Sequence, residues 1–483
     1  MIRVRIPPSP TGLLHIGTVR TALYNYLFAK HGDTDGPGKM IFRIEDTDKE
    51  RSTKEFEDDI INGLVKLGIA GDEGVHIPGD KGYRQSERTD VYTSDLKKLL
   101  DEDKAYYCGC TKERLEEMRN EQQAKKLPPR YDGACADKKL TEGVIRLRVP
   151  TERGDIKWND LVRGEMVIHA RELDDFVIAR AIDDPLYHLT VVTDDHDMKI
   201  THVIRGEDHI SNTPKQILLF EAFGWEVPEF AHLPLILNED KSKLSKRKNK
   251  VSVDDYLAEG YLPEALLNFL ALLGWNTPDE QEIFTMDELI EKFSLDRVHK
   301  GGAVFDVKKL DWINSEYIKK MIAEDIDGFY GMAKVFIVGK VPTKDEILIK
   351  KILKDPDFEG RFKKLSEIPE GLAPLFSELP DYPLELIARE KFQITPEMIR
   401  DVMKKAIEVV KSLEWEKGDS SKSQTISDAF VDIASKLGLK NGQVLWPIRV
   451  ALSGLEKSPN FATLAVYLGK EEILKRLKMA LEK

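Results

Sequence analysis

Cysteine is scarce: three occur in 483 residues, too few for a disulfide framework, and a reducing cytoplasm is the expected compartment. Long hydrophobic runs are missing too. None approaches the roughly 20 residues that span a bilayer, so no membrane segment is expected. The opening MIRVRIPPSP has neither an apolar targeting core nor a small-residue cleavage site. Positive charge is in deficit, with a formal net charge of −12, which argues against an indifferent nucleic-acid binder held by bulk charge. Internal repeats and low-complexity tracts are absent. With 41% hydrophobic and 33% charged residues, the chain reads as globular, with about two to four domains.

What is present is unevenly placed. The window 241–250, KSKLSKRKNK, carries Lys241, Lys243, Lys246, Arg247, Lys248 and Lys250 without an acidic residue, so a local polyanion site stays open within an acidic protein. Residues 2–6 alternate Ile2, Val4 and Ile6 with Arg3 and Arg5, as a strand does. After a proline-rich turn, Val19, Leu23, Tyr26 and Leu27 recur at helical spacing, and MIFRIED at 40–46 reads as a second strand. A β-turn-α-β unit of this kind builds parallel sheets. Between 90 and 185 a Cys-containing loop, a charged helix and short strands break that rhythm, which reads as an insertion. LYHLTVVTDD and KITHVIRGED then read as strands running into acidic or glycine turns. Beyond residue 250 the texture is helical, amphipathic through TPEMIRDVMKKAIEVVKSL and TLAVYLGKEEILKRLKMALEK.

The stretch PPSPTGLLHIGT at 7–18 is the most informative turn. Glycine there lets backbone approach a ligand, and the first-turn N–H groups of a helix lack intrahelical partners, so a phosphate is the expected guest. Prolines 7, 8 and 10 stiffen the turn and lower the entropy lost on binding. His15 and Thr18 lie at the helix mouth, where both can reach a phosphate whose charge grows during a displacement.

In full, PSPTGLLHIGTVRTALYNYLFA resembles the first signature of class I aminoacyl-tRNA synthetases, and within them the glutamyl branch. The four-residue motif of that signature stands here as His15-Ile16-Gly17-Thr18, and the second class signature as Lys243-Leu244-Ser245-Lys246-Arg247. FRIEDTD, YRQSER, YHLTVVTDDHDM and VIRGEDHISNTPKQ lie between them in that family's order, and GGAVFDVKKLDWIN and GQVLWPIRVALSG follow. The resemblance covers essentially the whole chain. It implies an α/β architecture: a Rossmann-like parallel-sheet catalytic domain (1–87 and 185–240), an inserted α+β domain (88–184), a stem-contact domain carrying the KLSKR loop (241–322), and an all-helical region (323–483) itself divisible near 380. The implied reaction joins L-glutamate and ATP into glutamyl-adenylate, then passes glutamate to the 3′ end of tRNA(Glu). Monomer is the usual state in the family.

Residue roles follow from the same resemblance. His15 and Thr18 would act at the phosphates beside Gly17, with Lys246 as the main transition-state lysine and Lys243 and Ser245 assisting. Asp208 would meet the nucleotide or its Mg²⁺ complex. Arg5, Tyr187 and Arg205 would hold the side-chain carboxylate of glutamate with help from Ser9, and Glu45 would take the α-ammonium. An arginine fork suits a carboxylate better than a lysine does.

All three cysteines, Cys108, Cys110 and Cys135, fall in the insertion, which points to zinc against the alternative of three free thiols. Some glutamyl synthetases add a histidine two residues after the last cysteine; here Asp137 stands in that place, and since a carboxylate can ligate zinc it is the expected fourth ligand. His196, His202, Asp208 and His209 admit a rival reading as ligands of a metal-dependent phosphohydrolase. Further alternatives are a free nucleotidyltransferase with the same phosphate turn, a glutaminyl synthetase, a queuosine-glutamylating relative, and a non-discriminating enzyme that also charges tRNA(Gln). Arg361 lies near where discriminating members often carry an arginine.

Overall fold

The computed structural model of the chain describes residues 1–244, 252–343, 345–389 and 393–483. Ser245, Lys246, Arg247, Lys248 and Lys250 lie outside the described residues. Two compact units partition the chain: Met1–Tyr256 with Leu266–Val307, and Leu257–Ala265 with Lys308–Lys483.

The first unit opens with β1 (Arg3–Ile6), α1 (Ile16–His31), β2 (Lys39–Phe42), α2 (Lys54–Lys66) and β3 (Glu73–Gly74). These strands form a parallel sheet in the order β1-β2-β3, with Arg3 opposite Lys39 and Ile6 opposite Phe42. Next come α3 (Thr89–Asp101), β4 (Ala105–Cys108), α4 (Lys112–Ala124), β5 (Val144–Leu147), β6 (Asp155–Asp160), β7 (Gly164–His169), β8 (Val177–Ala181) and β9 (Asp184–Pro185). The chain continues through α5 (Tyr187–Asp197), β10 (His202–Gly206), α6 (Thr213–Phe223), β11 (Glu229–Leu233) and β12 (Ile236–Leu237). β4, β5, β8 and β9 make an antiparallel sheet of their own, while β6 and β7 extend β10 and β11 in the order β10-β11-β6-β7. Two strands of the expected insertion, β6 and β7, thus continue the sheet of β10 and β11. β1 lies beside β10, and Thr201, just before β10, donates its N–H to the Arg3 carbonyl at 2.9 Å, so the two parallel sheets adjoin there.

α1 shows why this core forms. Val19, Leu23, Tyr24 and Leu27 are fully buried, as are Val4, Met40, Ile41 and Phe42 on the strands beneath. Burying each such side chain contributes about 1.5–3 kcal/mol. The helix ends at Gly32, whose φ of 75° suits glycine.

One element differs from its sequence reading. Tyr187–Asp197 is a helix, not the strand that LYHLTVVTDD suggests. Every residue from Leu189 to Asp195 is buried, so no polar face advertises the helical period, and the β-branched Thr190, Val191, Val192 and Thr193 imitate a strand.

Short helices follow: α7 (Val253–Ala258), α8 (Pro263–Ala271) and α9 (Met286–Lys292), then β13 (Ala303–Val304), which pairs with β12. The helical region comprises α10 (Val307–Glu324), α11 (Ile326–Ile337), α12 (Glu346–Leu353), α13 (Ile368–Phe376), α14 (Leu384–Ile387), α15 (Pro396–Ser412), α16 (Ser423–Leu437), α17 (Asn441–Ser453), α18 (Phe461–Leu468) and α19 (Lys470–Glu482). In α15 the Thr395 side chain caps the Met398 N–H at 3.2 Å, Pro396 takes the first turn, and Ile399, Val402, Met403, Ala406 and Val410 form the buried stripe. Among the described residues, no helix is long and apolar enough to cross a membrane.

Candidate active site

The proline-rich turn is held in place by its carbonyls, since its prolines donate nothing. Pro8 accepts from the Glu45 N–H and Pro10 from the Thr53 N–H, each at 3.1 Å, and Asp59 caps the Leu14 N–H at 2.6 Å. His15 then serves as the N-cap of α1: its Nδ1 accepts from the Gly17 N–H at 2.9 Å. A Cβ at Gly17 would stand 3.2 Å from that nitrogen, so glycine here makes room for the ring. The Thr18 N–H is also taken, by the His15 carbonyl at 2.8 Å. This corrects the expectation of bare first-turn amides. With Nδ1 accepting, the neutral ring carries its proton on Nε2, so two of the first-turn amides are spent within the turn itself.

Beside this turn lies a cavity of about 370 Å³. His15, Gly17 and Thr18 line one part, Arg5, Ser9, Glu45, Tyr187 and Arg205 another, and Asp208 and Lys243 a third. The structure therefore gathers every described ATP- and glutamate-site residue expected from sequence into one space. Lys243 follows a tight turn from β12, with Leu244 N–H donating to the Ile236 carbonyl at 2.9 Å. Its Nζ lies 3.5 Å from Asp208 Oδ2, both side chains being half exposed, where charge is weakly held.

The deep end holds buried charge. Arg5 Nε donates to Asp195 at 3.3 Å, Arg43 Nη1 donates to the same carboxylate at 2.9 Å, and Arg43 Nη2 donates to Glu45 at 3.2 Å. Asp194 accepts from Arg88, Tyr92 and Gln85 at 2.7–2.9 Å. Arg5 is 2% exposed, yet its Nη1 is buried without a hydrogen-bond partner. A buried guanidinium donor left unmade is unfavourable unless something arrives to accept it. Burial also pushes Glu45 up to about 7, against the opposing pull of Arg43 and Arg5. Tyr187 Oη and His209 Nδ1 lie 3.2 Å apart, and burial together with Arg205 lowers His209 to about 4.

Three sulfurs converge elsewhere in this unit. The Sγ atoms of Cys108, Cys110 and Cys135 lie within 4.8 Å of one another, with Cys110 and Cys135 3.5 Å apart. Asp137 is not with them: its side chain is 97% exposed and faces Arg148 at 3.6 Å. Two residues past Cys135 the chain has already turned outward. The Tyr131 hydroxyl occupies the place instead, 3.3 Å from Cys108 Sγ and 3.5 Å from Cys110 Sγ, while accepting from the Cys135 N–H at 3.0 Å. The rival histidine cluster does not assemble. His196 stacks on Trp225 and His202 packs edge-on against Phe28, and among the described residues the three cysteines are the only such ligand group.

A family model described as tRNA synthetases class I (E and Q), catalytic domain, matches residues 1–312, and one described as Anticodon binding domain matches 312–481. Glutamate–tRNA ligase of Natranaerobius thermophilus is 41% identical, over 99% of this chain and 98% of its own. That of Clostridium tetani is 42% identical, over 100% and 98%. The chain belongs to the glutamate–tRNA ligase family. A solved glutamate tRNA ligase from Elizabethkingia meningosepticum, in complex with its amino acid, superposes with a TM-score of 0.86 at 35% identity, covering 100% of this chain and 99% of that one. The family's α/β catalytic fold and helical C-terminal domain are the ones expected from sequence.

Sequence reasoning missed the charged residues buried behind the cavity. Arg43, Asp194 and Asp195 hold Arg5 and Glu45 in place, and adjacent buried aspartates in an apolar stretch were the available signal. Asp160 and His232, behind Arg205, carried none beyond a lone histidine in FAHLPL.

Proposed function

We propose that this member of the family charges tRNA(Glu) with L-glutamate. The observation that carries this reading is the unpartnered Arg5 Nη1 beside the buried Glu45, in the same cavity as the His15–Thr18 turn. A free amino acid with a carboxylate side chain answers both charges: its side chain accepts from Arg5, and its ammonium pairs with Glu45. Tyr187, Arg205 and Ser9 complete that pocket. Glutamine presents no charge to Arg5, so the buried donor selects against it.

ATP, brought with its Mg²⁺ as part of the substrate, lies along the turn with Asp208 and Lys243 at its polyphosphate end. The glutamate α-carboxylate oxygen attacks the α-phosphorus, the bond to the β-phosphate oxygen breaks, and pyrophosphate leaves. His15 Nε2–H and Thr18 Oγ–H donate to oxygens whose negative charge grows in that step. No protein nucleophile takes part; the site works by positioning and charge. The terminal ribose hydroxyl of the tRNA then attacks the activated carbonyl, and AMP departs. Lys246, with Ser245 assisting, fits the charge that shifts onto pyrophosphate, and Lys246→Ala is expected to lower kcat at least ~100-fold; wild-type turnover would refute that role. Stretches 88–184, 241–322 and 323–483 suit the acceptor end, inner bend and anticodon of the RNA, read by shape and by splayed bases. Arg361 fits a role in telling tRNA(Glu) from tRNA(Gln). The deciding experiment is ATP–pyrophosphate exchange. Exchange that needs glutamate and tRNA(Glu) supports the reading, whereas exchange indifferent to tRNA favours a free nucleotidyltransferase.

The three thiols suit a zinc ion, whose thiolate ligands stand about 2.3 Å from the metal. The Tyr131 hydroxyl, near Cys108 and Cys110, suits the fourth position better than the exposed Asp137. Zinc there would tie the Cys108–Cys110 loop to residues 131–135 and hold that part of the insertion together. Elemental analysis of the purified chain is expected to give one zinc per molecule; none would end this part of the proposal.

A further inference from the structure

Arg205 is held by a line of side chains that runs across three neighbouring strands. It lies at the end of β10, directly opposite His232 on β11 in the parallel register. β11 in turn pairs with β6 where Phe230 faces Asp160. Arg205, His232 and Asp160 are 5%, 0% and 1% exposed, so every polar atom among them must find its partner inside the protein.

The partners dictate the proton positions. Asp160 Oδ1 accepts from the N–H groups of Val162, Arg163 and His232 at 2.9–3.2 Å. Its Oδ2 lies 2.5 Å from His232 Nδ1. These donors offset the burial that would raise the carboxyl, and Asp160 is held below its ordinary value. An ionised Asp160 requires a proton on His232 Nδ1, which leaves Nε2 as an acceptor. Nε2 receives the Arg205 Nε–H at 3.2 Å, and the Thr213 hydroxyl, 3.1 Å from Nε2, accepts from Arg205 Nη2 at 2.9 Å. Arg205 Nη1 donates to Gln216 at 2.8 Å. The orientation of the guanidinium therefore depends on the tautomer of a histidine one strand away, which a carboxylate on the strand beyond it sets.

We propose that Asp160 and His232 are positioning residues for glutamate recognition: Asp160 fixes the Nδ1–H tautomer of His232, and His232 holds the Arg205 fork toward the substrate carboxylate. The inference rests on Arg205 belonging to the glutamate pocket. Neither residue touches substrate; both act through Arg205, in the way that an outer carboxylate orients an inner histidine.

Asp160→Asn is the sharpest probe because it keeps shape. The amide oxygen can retain the three backbone hydrogen bonds while its NH₂ faces His232 Nδ1, which forces the proton to Nε2 and sets two donors against each other at Arg205. In the full-length enzyme, the imidazole ¹⁵N shifts of His232 should report the change of tautomer. The glutamate KM should rise ~10-fold or more, the scale of a lost hydrogen bond to a charged group, while kcat and the ATP KM stay within ~3-fold. His232→Gln supplies an amide oxygen to Arg205 without a tautomer to choose. It should keep the glutamate KM within ~3-fold of wild type even when combined with Asp160→Asn, and His232→Leu should not. An unchanged glutamate KM in Asp160→Asn, or an ATP KM that rises in step with it, overturns the proposal. Should Asp160→Asn not fold, equal glutamate KM values for His232→Gln and His232→Leu overturn it instead. Arg205→Ala separates this from the pocket assignment. If that variant leaves the glutamate KM unchanged, the pocket reading fails; if it raises KM while Asp160→Asn does not, only the positioning role fails.

Discussion

Arg5 in the catalytic unit and Arg476 in the helical unit are equally hidden, each 2% exposed, and they are satisfied in opposite ways. Arg476 Nη1 donates to the carbonyls of Pro374 and Leu452, Nη2 to that of Ser377, and Nε to Glu472, at 2.5–3.0 Å. Those carbonyls belong to the C-terminal turns of α13 and α17, which lack intrahelical donors and carry partial negative charge. The guanidinium replaces the missing donors, so its role is finished when the chain folds. Arg5 spends its Nε on Asp195 and keeps Nη1 without a partner. The satisfied Arg476 is a structural brace; under the proposed function, the open Nη1 of Arg5 is half of an interaction whose other half is the glutamate carboxylate.

Three changes can break or sharpen that contrast. Arg476→Leu leaves three buried carbonyls without donors and should lower the unfolding free energy by about 4 kcal/mol. Chemical denaturation checks this, and glutamate kinetics measured well below the transition should match wild type. Arg5→Lys keeps a charge near Asp195 but loses the fork. Its kcat/KM for glutamate should fall at least ~100-fold, with the unfolding midpoint nearly unmoved. If the two variants exchange phenotypes, the distinction between brace and ligand contact is wrong.

The smallest expected effect concerns Glu45. Burial raises it from the usual 4.5 to about 7. A carboxyl whose folded value is raised contributes stability below its unfolded value and loses that contribution as pH rises through the folded one. Ammonium recognition runs the other way, because only ionised Glu45 pairs with it. The kcat/KM for glutamate should therefore climb about tenfold per pH unit below 7 and level off above. Glu45→Gln should flatten the climb. A profile that climbs equally in the variant would place the titration elsewhere.

How far the chain was legible follows the same division. The helical unit could be read because stripes such as Ile399, Val402, Met403, Ala406 and Val410 face one core and leave a polar back. The catalytic unit was legible where motifs compress function into short strings, as in the His15–Thr18 turn and the residues around Glu45 and Arg205. It was opaque where charge replaces apolar matter in the core. Arg5 alternates with Ile2, Val4 and Ile6 as though it faced water, yet both faces of β1 are covered, one by apolar side chains and the other by ion pairs. α5 read as a strand for the related reason that burial on all sides removes the helical period. Asp137 shows the limit of spacing alone, since a two-residue interval left it on the surface while Tyr131, four residues upstream of Cys135, reached the sulfurs.

Under the proposed function, one cavity receives the glutamate carboxylate on Arg5 Nη1 and its ammonium on Glu45. A crystal structure of the chain with L-glutamate tests it most directly. The side-chain carboxylate is expected within hydrogen-bond distance of Arg5 Nη1, and the ammonium on Glu45. A bound glutamate that leaves Nη1 unpartnered, or that sits in the reverse orientation, would contradict it.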